Sequence, residues 1–158
     1  MPGKAEKFII ECKRWRSQNR ASIFLAQETN FSPDREDELR DLATLHGFTA
    51  VFGFAKAAAD GVHHGGTMTL IDSKVASLIR HDTLEPNGGA LVTIVDWGGV
   101  KLSLVNIYAP SKPGERVDFY NAIKKKVHMN MIMMGDWNCV PDVLLDVQSE
   151  NPLKYTPM

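Results

Sequence analysis

The stretch from Met131 to Asp142 reads Met-Ile-Met-Met-Gly-Asp-Trp-Asn-Cys-Val-Pro-Asp: an apolar run that ends in Gly135, then Asp136 and Asn138 at i and i+2. Residues two apart on an extended backbone project to the same side, so the spacing predicts that both face one site at a strand's end. A carboxylate there binds a hard cation or takes a proton, and an amide holds a phosphate or orients a water. Gly135 lets the chain bend sharply at the strand exit. Alone, the stretch reads equally well as a strand followed by an Asx-type turn. Two further strand ends of the same kind favour the chemical reading.

The first is Ser22 to Ala26 (Ser-Ile-Phe-Leu-Ala), a nearly all-apolar run expected of a strand buried on both faces. It changes abruptly to Gln27-Glu28-Thr29-Asn30. That places Glu28 just past the strand's C-terminal end, where open α/β sheets hold their ligands. The second is Val100 to Tyr108, which alternates and exits through Asn106, Tyr108 and Pro110, with Asn106 and Tyr108 on one side. If the three strands are neighbours, the set is coherent. Glu28 offers oxygen ligands to Mg²⁺, and Asp136 positions or deprotonates a water. Asn138 orients that carboxylate or a phosphate, and Tyr108 donates to charge developing on phosphoryl oxygens.

The elements that must deliver these groups follow from periodicity. Residues 5 to 20 read as a helix with Phe8, Cys12 and Trp15 inward, widened by Ile9, and a basic, solvated C-terminal half (Lys13, Arg14, Arg16, Arg20). Ser32 and Pro33 suit an N-cap and first helical position. An acidic first turn follows, then a Leu39, Leu42, Ala43, Leu45 stripe, and Gly47 closes the helix. Thr49 to Ala55, Gly66 to Asp72 and Val75 to His81 read as strands, the last two around a turn at Asp72-Ser73. His63 and His64 sit on a loop as adjacent residues that point apart. Gly89 to Val95 and Val100 to Tyr108 form a hairpin through Gly98-Gly99. Lys112 to His128 is a third helix with Val117, Tyr120, Ile123 and Val127 inward.

At 158 residues and 44% hydrophobic, the chain can bury one domain core. A net charge of −1 argues against a tight non-specific DNA coat without touching a transient enzyme. Cys12 and Cys139 have no metal-ligand spacing and read as free thiols in a reducing compartment. No run approaches bilayer length and no secretory leader is evident. An intracellular protein, nuclear or cytoplasmic, with no membrane association is the expectation. Residues 147–158 read as a polar tail after a domain over 1–146.

Gln27-Glu28-Thr29, Asn106-Ile107-Tyr108-Ala109-Pro110 and Gly135-Asp136-Trp137-Asn138-Cys139-Val140, in that order, resemble the endonuclease/exonuclease/phosphatase superfamily. The similarity is nearest to the endonuclease domain of non-LTR retrotransposons, whose motifs commonly read QET, N-x-YAP and GDFNCV. Trp137 stands at the usual Phe position, and Gly65-Gly66 before Thr67 to Ile71 resembles that family's Gly-Gly strand. The resemblance spans about Ile23 to Asp146. It implies an α/β two-sheet sandwich of the deoxyribonuclease-I-like type. It also implies phosphodiester cleavage with Mg²⁺ (Mn²⁺ as an alternative), DNA as substrate, and no obligate protein partner. Asp136, Asn138 and Tyr108 would be catalytic and Glu28 the metal ligand.

Two departures matter. The family begins with a strand ending in an active-site Asn and finishes with an Asp and a Ser-Asp-His segment. Neither has a counterpart, and all five histidines (46, 63, 64, 81 and 128) precede Asp136. The expectation is a domain truncated at both ends, weak or inactive alone, with unpaired sheet edges. The alternatives are a non-catalytic remnant that binds metal or nucleic acid, and the same fold acting on a phospholipid or sugar phosphate.

Overall fold

The computed structural model describes residues 4–18, 21–54, 57–59, 61–84, 89–128 and 130–139. The expected polar tail and the stretch beyond Cys139 lie outside them. In chain order the elements are α1 (Lys4–Ser17), β1 (Ile23–Gln27), a 3₁₀ turn (Pro33–Arg35) opening α2 (Glu36–Leu45), β2 (Phe48–Gly53) and β3 (Thr67–Asp72). Then come β4 (Ser77–Thr83), β5 (Ala90–Trp97), β6 (Val100–Tyr108), α3 (Pro113–Lys124) and β7 (Met131–Asp136).

Among the described residues seven strands make two sheets, ordered β1-β3-β2 and β4-β5-β6-β7. Strand alternation gives each sheet two apolar faces, and three cores fill a four-layer stack. Ile9, Cys12, Leu39 and Ala43 of α1 and α2 pack on Phe24, Phe48, Ala50, Phe52, Met68 and Leu70 of the first sheet. Val51 and Ile71 meet Leu91, Val95 and Leu104 between the sheets. Phe119 and Ile123 of α3 cover Val92, Val105 and Ile107 on the far face of the second sheet. This is the expected two-sheet α/β sandwich.

Several local expectations change. β1 is an edge strand among the described residues, antiparallel to β3, and only Phe24 within it is fully buried. Its apolar run therefore serves two half-covered faces instead of a central parallel strand. The turn at Asp72-Ser73 does not join neighbours: β3 and β4 belong to different sheets. Asp72 Oδ1 accepts the Lys74 amide at 3.0 Å, and the Val75 and Ala76 amides return to Asp72 O as the chain crosses over.

The basic end of α1 is not wholly solvated. Arg16 donates to the carbonyls of Gly47 (3.0 Å) and His46 (3.1 Å), capping the C-terminal end of α2, and its guanidinium lies 4.5 Å from the Phe48 ring centroid. Gly47, at φ +81°, ends α2 as expected. Ser32 precedes the 3₁₀ turn without a side-chain cap, and Leu45 is exposed. The inner face of α3 is Arg116, Phe119 and Ile123, whereas Val117 points outward. The β5–β6 hairpin forms as expected, with Gly98 and Gly99 at φ +58° and +87°.

Candidate active site

The site lies where the C-terminal ends of β1, β6 and β7 meet. Past Gln27 the chain turns through Glu28 and Asn30, both at φ +53°. Left-handed backbone is costly for such residues, and Gly65-Gly66 holds it. The Asn30 amide donates to Gly65 O at 2.8 Å, and the Gly65 amide returns a bond to Asn30 Oδ1 at 2.7 Å. Glu28 is thereby fixed at the end of β1 with its side chain exposed.

Asn106 is wholly buried on the inter-sheet face of β6. Its Oδ1 accepts from Gln27 Nε2 at 2.6 Å, and its Nδ2 donates to Met68 O (2.9 Å) and Ala26 O (3.1 Å). Every one of these partners belongs to the first sheet, so Asn106 ties the sheets together and contributes nothing outward. Two residues further on, on the same face, the Tyr108 hydroxyl donates to Glu28 Oε1 at 2.7 Å. Burial first, then the bond to Glu28 and the charges of Glu28 and Asp136, push the phenol up to about 12. Tyr108 therefore stays a neutral donor between two carboxylates.

β7 runs parallel to β6, and Asp136 is the register partner of Tyr108. Gly135 does not make the expected bend. It is paired inside β7 with Ile107, and a Cβ there would lie 2.0 Å from Ile107 O. The glycine permits close approach of the two strands. Asn138 departs from the i, i+2 expectation, because the chain leaves extended geometry and Asn138 sits at φ +48°. Its Nδ2 donates to Ala109 O at 2.6 Å, while its backbone amide donates to Asp136 Oδ1 at 2.9 Å. Asn138 thus reaches Asp136 through the main chain.

The structure brings Glu28, Tyr108 and Asp136 together and sets Asn138 behind Asp136. Sequence reasoning missed Gln27 and Asn106 as a pair, Gly65-Gly66 as the clamp on Glu28, and the part played by α3. There Tyr120 donates to Trp137 O at 2.5 Å and Arg116 to Asn138 O. The available signals were a polar Asn in an apolar strand and the Gly-Gly pair.

A divalent cation fits this donor set. Glu28 and Asp136 both bear on the Tyr108 phenol, and among the described residues neither makes a salt bridge with Lys, Arg or His. Two uncompensated carboxylates supply hard oxygen donors. Among the described residues no three His, Cys, Asp or Glu side chains converge, so water and substrate oxygens would complete the shell, as Mg²⁺ prefers. Glu28 also ends an open groove of about 1210 Å³ walled by Phe8, Phe31 and Leu42, which leaves it accessible. No described helix is long and apolar enough to cross a membrane.

No family model and no curated protein matches the chain. Solved structures do. An AP endonuclease from Archaeoglobus fulgidus superposes with a TM-score of 0.64 at 19% identity, covering 93% of this chain and 58% of its own. A D. rerio TDP2 humanised by 14 mutations gives 0.58 at 16% identity over 86% of this chain and 60% of its own. The human Nocturnin catalytic domain with bound sulfate gives 0.55 at 13% over 89% and 59%. D. rerio TDP2 is also known in complex with a single-strand DNA product. The chain has the endonuclease/exonuclease/phosphatase, deoxyribonuclease-I-like fold and spans 58% of the first of these neighbours.

Proposed function

We propose that the chain is a divalent-cation-dependent phosphodiester hydrolase domain acting on DNA, of the non-LTR retrotransposon type. The observation that carries this reading is the Tyr108–Glu28 bond of 2.7 Å with Asp136 beside Tyr108 in register. It joins a carboxylate from one sheet to a phenol and a carboxylate from the other. The wording of the three motifs supports the retrotransposon type, and the neighbours' names support DNA as the substrate class.

Each residue has a part consistent with its position. Glu28 is the ligand for Mg²⁺, with Mn²⁺ as the alternative, and a bound cation neutralises the anionic phosphodiester. Tyr108 orients Glu28 and keeps its proton near the phosphoryl oxygens. Asp136, with Oδ1 held by the Asn138 amide, positions and deprotonates a water through its other oxygen. Asn138 fixes Asp136.

No described side chain is assigned the protonation of the leaving group. Among the described residues no histidine hydrogen-bonds to Glu28, Tyr108 or Asp136. General acid–base help is typically worth about 10²–10⁴-fold, so turnover by this chain is expected to be slow. The same observation favours a second reading, binding of metal or DNA without turnover.

Plasmid nicking with Mg²⁺ against EDTA, for wild type and Asp136→Ala, tests the proposal. Slow Mg²⁺-dependent nicking lost in the variant is expected. Equal nicking by both proteins would remove Asp136 from the mechanism. Metal binding by calorimetry with no nicking would favour the second reading.

A further inference from the structure

The turn Trp137 to Cys139 follows Asp136, the last residue of β7, and its Asn138 amide donates to Asp136 Oδ1 at 2.9 Å. Two side chains of α3 hold this turn from the other side. Arg116 and Tyr120 stand four residues apart on this helix, hence on one face. The Tyr120 hydroxyl donates to Trp137 O at 2.5 Å, and Arg116 Nη1 donates to the next carbonyl, Asn138 O.

The described backbone has no cis peptide. In a trans peptide the carbonyl of one residue and the amide of the next point in opposite directions. Drawing Trp137 O toward α3 therefore turns the Asn138 N–H away from the helix, to the side where Asp136 Oδ1 lies. Arg116 fixes the far side of the same residue. Its guanidinium is buried and, among the described residues, pairs with no carboxylate, so a main-chain carbonyl takes its charge-assisted bond. Asn138 is held left-handed between these anchors and the bond from its Nδ2 to Ala109 O.

We propose that Tyr120 and Arg116 are positioning residues. Through the Trp137–Asn138 peptide they aim the Asn138 amide at Asp136 Oδ1, which leaves Oδ2 as the oxygen that meets substrate. The catalytic meaning rests on the hydrolase reading; the orientation of the amide does not.

The test uses the full chain labelled with ¹⁵N. In Tyr120→Phe, which keeps the ring against Trp137, the Asn138 amide proton is expected to exchange with solvent at least about 10-fold faster. Amides of the β5–β6 ladder should keep their wild-type rates. Arg116→Lys, which keeps the charge but loses the fork, is expected to shift the same amide less. In nicking assays Tyr120→Phe is expected to lower kcat with KM unchanged. A wild-type Asn138 exchange rate in both folded variants overturns the proposal. Failure of the wild type to nick DNA counts against the hydrolase reading alone, and the exchange rates still decide this one.

Discussion

Tyr108 donates to Glu28 across the seam between the two sheets, 2.7 Å from oxygen to oxygen. The bond draws together residues 80 positions apart in the chain. It occupies one carboxylate oxygen of Glu28 and directs the other outward. Asp136 lies beside Tyr108 in the parallel ladder, so the charges of both carboxylates bear on the phenol.

Cation binding should therefore depend on Glu28 directly and on Tyr108 indirectly. Saturating Mg²⁺ is expected to raise the thermal midpoint of the wild type, a ligand at 100 times its Kd adding about 2.7 kcal/mol. Glu28→Gln should abolish that shift. Tyr108→Phe should weaken the apparent affinity roughly 10–100-fold, as loss of a group that orients a ligand does. Thermal scans across a Mg²⁺ titration read all three proteins.

Alkaline stability should report on Tyr120. Burial, then the contact with Cys139, push its phenol up to about 12, against about 10 when unfolded. The folded state holds the proton more tightly, so this contribution is fully present below about pH 10. It falls as pH rises, and is lost by about pH 12. Urea midpoints between pH 9 and 11 should drop more steeply for the wild type than for Tyr120→Phe. Parallel profiles would show that the phenol titrates alike in both states.

Asn106→Leu should be among the most damaging substitutions outside the site. It strands Gln27 Nε2 and removes the Asn106 donor from the carbonyls of Ala26 and Met68, which are register partners in the β1–β3 ladder. At about 1–3 kcal/mol per unsatisfied buried group, a loss of roughly 1–3 kcal/mol is expected in urea denaturation. A cost below about 1 kcal/mol would mean the seam closes without this residue.

Gly135→Ala should separate β7 from β6. The added methyl would meet Ile107 O at 2.0 Å, at a backbone φ of +143°. The cost is expected to be about 4 kcal/mol or more, with faster hydrogen exchange from Ser103 to Tyr108. A wild-type melting curve would contradict the close approach.

Much of this arrangement was legible in the residues. Gly98-Gly99 announced the hairpin, because only a tight turn demands two positive φ values in succession. The polar exits at Glu28, Tyr108 and Asp136 stood out against apolar strands. Partnership was harder to see. Alternation puts Asn106 and Tyr108 on one face but does not say that the first is sealed between sheets while the second reaches the rim. Gly135 after an apolar run looks like a bend, since sequence carries no measure of how close another strand comes. Arg16 read as a solvent-facing cation, and Arg116 drew no reading at all. Each instead donates to main-chain carbonyls that only the tertiary fold supplies, and Arg16 also reaches Asp72 at 3.5 Å. For α3, choosing Val117 over Arg116 rotated the inner face by one residue, because hydrophobicity outweighed the capacity of a long stem to be buried.

Because Glu28 rides on one sheet and Asp136 on the other, the gap between their carboxylates gauges how the two slabs are docked. A slip of one residue's rise, about 3.3 Å, would leave each slab's own ladder intact yet pull the acidic pair out of reach of a common ion. The proposed hydrolysis should then fade at denaturant concentrations where circular dichroism still records every strand.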